Sequence, residues 1–105
     1  MKTFYINQTA YLELALLDIN GDYASNLTVT YEIIKCLDDS IIDSGSMSEI
    51  NNIYTTSYIF VEIGEYRIDY FTPEDYEDGF ENIIIDTYDN FKADLTELDG
   101  GKLIN

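Results

Sequence analysis

Two antiparallel β-sheets packed face to face are what this 105-residue sequence predicts, and three observations carry the prediction. The first is alternation. In the stretch IYTTSYIFV, Tyr54, Thr56, Tyr58 and Phe60 fall on one side and Ile53, Thr55, Ser57, Ile59 and Val61 on the other. A period of two in β-branched and aromatic residues means a strand, because successive side chains leave opposite faces of the pleat. The second is spacing: turn signals recur roughly every eight to twelve residues, and no long helical period interrupts them before Thr87. The third is the restart of the alternation directly after Gly64, with Tyr66, Ile68 and Tyr70 against Glu65, Arg67 and Asp69.

That restart narrows the fold class to an immunoglobulin-like sandwich of seven to eight strands. Gly64 and Tyr66 stand where such sandwiches turn from one sheet to the other. The phenol of Tyr66 is then expected to donate a hydrogen bond to the backbone a few residues upstream while its ring stays in the core.

Taken in order, residues 3–6 form a short edge strand. Tyr11–Leu17 follow, with Leu12, Leu14 and Leu16 on one face. Asp18-Ile19-Asn20-Gly21-Asp22 closes that strand, since Asn-Gly readily supplies the positive φ of a tight turn. Leu27, Val29, Tyr31 and Ile33 alternate along the next strand. Asp38-Asp39-Ser40 reads as a turn, Ile41-Ile42 as a very short strand and Asp43-Ser44-Gly45 as a second turn. Residues 46–50 lead to the two-residue hairpin signal Asn51-Asn52 and then to the strand pair on either side of Gly64. Thr72-Pro73 stops pairing, because proline gives a ladder no donor. An acidic loop precedes the last strand, Phe80–Asp86. The domain reading is therefore a sandwich over residues 3–87 and a tail over 88–105. In the tail Phe91, Leu95 and Leu98 fall at helical spacing between capping residues and Gly100-Gly101, as a short helix or an assembly arm.

Composition excludes several functions. Twenty-one acids against five scattered bases give a formal charge of −16, which repels phosphate and argues against nucleic acid and anionic membrane. No apolar run reaches the roughly 20 residues that span a bilayer. Asn7, Gln8 and Glu13 interrupt the N-terminal stretch, so it does not read as a signal peptide, and synthesis in a cytoplasm is the expectation. There is no His, and the single Cys36 cannot staple the fold. With no Ser-His-Asp set, no CxxC spacing and no phosphate-cradling glycine loop, the chain reads as non-enzymatic and without a cofactor.

Two groups of residues remain as candidates. Asp18-x-Asn20-x-Asp22 resembles the opening of a calcium loop, but Tyr23 and Val29 stand where an EF-hand needs Gly and Glu. In a sandwich of this topology the loop after the second strand and the loop before the last emerge together. Asp18 and Asp22 are thereby placed near Glu74, Asp75, Glu77 and Asp78, a tip suited to Ca²⁺, to a basic patch, or simply to solvent. Tyr76 and Phe80 flank that loop and read either as interface anchors or as ordinary packing. Asn7-Gln8-Thr9 and Asn26-Leu27-Thr28 match the glycosylation pattern.

From Leu12 to Asp86 the layout of DINGD, LTVTYEII, DSGSMSEINNIYTTSYIF, GEYRIDY and FENIII resembles the small immunoglobulin-like domains of tailed-phage virions. The resemblance implies a structural protein of the virion that binds other virion proteins in many copies. An auxiliary or decoration subunit on the capsid head, attached to the major capsid protein, is the first expectation. A tail, neck or fibre component is the second. Outside that family, an adhesin or carbohydrate-binding module using the acidic tip is the alternative.

Overall fold

The structure, a computed structural model, describes residues 1–73, 76 and 78–87. Among them are eight strands: β1 (Lys2–Tyr5), β2 (Thr9–Leu14), β3 (Thr30–Lys35), β4 (Ser40–Ser46), β5 (Ser48–Ile50), β6 (Ile53–Ile59), β7 (Gly64–Phe71) and β8 (Gly79–Asp86). They form a five-stranded sheet of order β1-β8-β7-β3-β4 and a three-stranded sheet of order β2-β6-β5. All pairs are antiparallel except β1 with β8, which run parallel. The arrangement is an all-β sandwich compatible with the immunoglobulin-like class.

The core lies between the inward rows of the two sheets. Ala10, Leu12 and Tyr54 come from the smaller sheet, and Tyr31, Ile33, Tyr66, Ile68, Tyr70, Ile83 and Ile85 from the larger. Phe60, just beyond β6, sits between Tyr58 and Tyr66 with ring centroids 4.8 Å from each. In β6 and β7 the inward row follows the two-residue period, so the faces read from sequence for these strands hold. Chain crossings between the sheets are fastened by backbone. Asn7 N–H donates to the Phe60 carbonyl at 2.8 Å between β1 and β2, and Met47 N–H donates to the Val29 carbonyl at 2.8 Å between β4 and β5.

Three boundaries depart from the sequence reading. β2 runs from Thr9 to Leu14 rather than Tyr11 to Leu17, and Leu14 and Leu16 are only half-buried beside the core. β3 starts at Thr30 and runs on to Lys35, with both Ile33 and Ile34 buried. Pairing with β4 shifts by one between those two residues, which breaks the simple alternation. Asp43-Ser44-Gly45 is not a turn but part of β4, continuous from Ser40 to Ser46. Those residues are turn-formers in isolation. Here Tyr31 overrides the preference: its hydroxyl donates to Asp43 Oδ2 at 2.9 Å, and its ring packs where a Gly45 side chain would stand, 3.4 Å from the phenol oxygen.

Turn chemistry otherwise follows residue type. Asn51 and Asn52 both hold positive φ, 52° and 67°, as a two-residue hairpin matching strand twist requires. Asn7 and Asn26, the two glycosylation-pattern residues, likewise occupy the left-handed region at 63° and 60°.

Candidate functional site: the loop tip

The loop from Ala15 to Val29, between β2 and β3, and the loop from Thr72 to Asp78, between β7 and β8, meet at one end of the sandwich. Tyr76 shares a surface hollow with Leu17, Asp18 and Ile19. Each loop is braced from within. Asp18 Oδ1 accepts from the N–H of Asn20 at 2.8 Å and of Asp22 at 3.0 Å. Asp18 N–H donates to the Asp22 carbonyl at 2.8 Å, and Gly21 N–H donates to the Asp18 carbonyl at 3.0 Å. Gly21 holds φ +83°, which the turn needs and which side-chain-bearing residues rarely adopt. A bridge between Leu17 and Tyr23 closes this small hairpin.

Its base is tied to the core by Tyr54 of β6. The buried phenol donates to the Ala24 carbonyl at 2.9 Å and accepts from Leu27 N–H at 3.2 Å. The other loop is braced by Asp78, whose Oδ1 accepts from Thr72 N–H at 2.8 Å, and by Thr72 Oγ1, 3.2 Å from the Tyr76 carbonyl.

This bracing leaves apolar side chains in water. Ile19 is 100% exposed, Tyr23 56% and Leu17 54%, and Phe80 at the start of β8 is 67% exposed. Tyr76 is half-buried. Sequence reading assigned Tyr76 and Phe80 to this end and missed Leu17, Ile19 and Tyr23. The available signal was an isoleucine inside DINGD, where a turn has no structural use for one.

Of the carboxylates expected at the tip, Asp18, Asp22 and Asp78 are described, while Glu74, Asp75 and Glu77 lie outside the described residues. Asp18 and Asp78 already serve as hydrogen-bond acceptors for their own loops. No group of three metal-ligating side chains occurs among the described residues. The described bases pair elsewhere: Lys2 with Glu81 at 3.8 Å, Lys35 with Glu62 at 2.6 Å and Arg67 with Asp69 at 2.8 Å. Phe91, Leu95 and Leu98, the apolar residues expected to make contact from the tail helix or assembly arm, also lie outside the described residues.

At the opposite end Gly64 holds φ +144°, and the Tyr66 hydroxyl donates to the Glu62 carbonyl at 2.9 Å, the corner the sequence predicts. Cys36 lies beside that corner. Burial, reinforced by the charge of Glu65, pushes its thiol pKa up, away from the reactive thiolate. No protein-family model and no curated protein matches the chain.

Proposed function

We propose that this chain is a non-enzymatic structural subunit of a tailed-phage particle, most plainly a head decoration protein, that grips a neighbouring virion protein through the loop tip. One observation carries the binding part of this reading: a hairpin braced by its own hydrogen bonds holds Leu17, Ile19 and Tyr23 in water, with Leu17 and Ile19 beside Tyr76. Holding a large aliphatic residue fully exposed costs solubility with no return in folding, whereas burial in a partner's pocket removes that apolar surface from water. Asp18 lines the same hollow and Asp22 is hydrogen-bonded to Asp18, so the partner's pocket is expected to be apolar with a basic rim. The resemblance of the sequence layout from Leu12 to Asp86 to small phage-virion domains supports the particle assignment, and the tail, neck and fibre positions are the alternatives within it.

Mass spectrometry of purified particles from the producing phage tests the reading. The chain is expected there in many copies, and Ile19→Asp is expected to remove it from particles while its circular dichroism and melting temperature stay unchanged. Particles that lack the wild-type chain would refute the assignment.

A further inference from the structure

A sandwich exposes four edge strands, and three of these carry a feature that discourages pairing with another chain. β1 has four residues and bears Lys2, and β5 has three residues. β4 is bulged where its register to β3 shifts, and it points the carboxylate of Asp43 toward the Tyr31 hydroxyl. Short length, lysine, bulges and inward charges are how natural sheets blunt their edges.

β2 has none of them. It spans six residues, TAYLEL, with no lysine, no proline and no irregularity in its register to β6. Among the described residues β6 is its single neighbour in the sheet, so alternate backbone N–H and C=O groups of Thr9–Leu14 face outward in strand geometry.

We propose that the β2 edge is a second binding site, one that accepts an extended strand of a different protein, alternating apolar and basic residues, as a fourth strand of the small sheet. The edge itself demands a strand. Alternation follows from the two rows it would continue: Ala10, Leu12 and Leu14 toward the core, with Leu14 and Leu16 half-buried and still able to take an apolar neighbour, and Thr9, Tyr11 and Glu13 toward solvent. Basic character follows from charge. Glu13 is the one ionic side chain of β2, the exposed Tyr11 ring offers a face to a cation, and the chain carries −16. The same charge opposes a second copy of this chain as the occupant. This site does not depend on the tip, so either can fail alone.

The test uses the full chain and a capped peptide of alternating valine and lysine long enough to cover Thr9–Leu14. Binding is expected to slow amide hydrogen exchange within Thr9–Leu14. A peptide of equal charge with its central valine replaced by proline is expected to bind roughly tenfold more weakly or worse, because it cannot complete the ladder. Glu13→Lys is expected to weaken the lysine peptide and to favour a valine–glutamate analogue. Equal binding of the proline peptide would show charge attraction alone and overturn the proposal, as would protection confined to the tip or no binding at millimolar peptide. Protection of β2 by self-association without peptide would overturn the choice of occupant.

Discussion

Two buried phenols hold the two ends of this sandwich, and they do so over different distances. At one end Tyr66 reaches four residues back to the Glu62 carbonyl at 2.9 Å, beside a glycine and a Lys35–Glu62 ion pair. At the other, Tyr54 reaches thirty residues to the Ala24 carbonyl, also at 2.9 Å, and fixes the base of a loop that carries Ile19 into water. Both ends leave apolar side chains in water, Leu37, Val61 and Ile63 around the first and Leu17, Ile19 and Tyr23 at the second. They differ in reach: the first is fastened within four residues, the second by a long-range bond from the core. A loop that is hydrogen-bonded within itself and to the core while exposing apolar side chains would suit the proposed binding role, because less ordering is left to be done when a partner arrives.

The comparison can be broken most severely in the core against the corner, where Phe60 packs on Tyr66. Phe60→Ala removes the ring between Tyr58 and Tyr66 and should cost about 3–5 kcal/mol in chemical denaturation, with loss of the near-ultraviolet signal of the tyrosines around it. Tyr54→Phe should cost about 2 kcal/mol, since it leaves the Ala24 carbonyl and Leu27 N–H without their shared partner. Hydrogen exchange should then quicken across residues 15–29 and not at the corner. Tyr66→Phe should cost less, about 1 kcal/mol, because the Glu62 carbonyl it releases can be reached by water. Equal losses for the two phenols would erase the distinction drawn between the ends.

Alkaline pH acts on the core in a smaller step. Burial, then the charge of Glu81 and the hydrogen bond to it, raise the pKa of Tyr70 well above 10, and burial raises those of Tyr31 and Tyr66. The sign follows from the protonated form being the one the fold prefers. Below the unfolded tyrosine pKa the stabilisation is complete, and as pH rises past it the unfolded chain ionises first and stability falls. At about pH 10.5 Tyr70 alone should account for a loss on the order of 1 kcal/mol, read as a lower midpoint in urea than at neutral pH. A midpoint unchanged up to that pH would contradict the burial of the phenols. Smallest of all, Ile19→Ala should shift stability by less than about 0.5 kcal/mol, since the side chain touches solvent. If Ile19→Ala instead unfolded the loop, the isoleucine would be structural and the tip would lose its anchor.

What the sequence determined by itself was everything with short reach. The period-two rows of β6 and β7, the glycine and tyrosine of the corner, the Asn51-Asn52 hairpin and the Asn-Gly turn each follow from a few adjacent residues, because backbone preference and side-chain alternation are local properties. Tertiary structure decided what needed a distant partner. Asp43-Ser44-Gly45 became strand when Tyr31 came to lie against it, Ile34 was buried through a register shift, and Tyr54 found Ala24 in the loop thirty residues before it. Ile19 is the instructive mixture: its oddness in a turn was visible in the sequence, but its exposure depended on the brace beneath it. Residue type limits what each short segment can be, and packing between segments chooses among what is left.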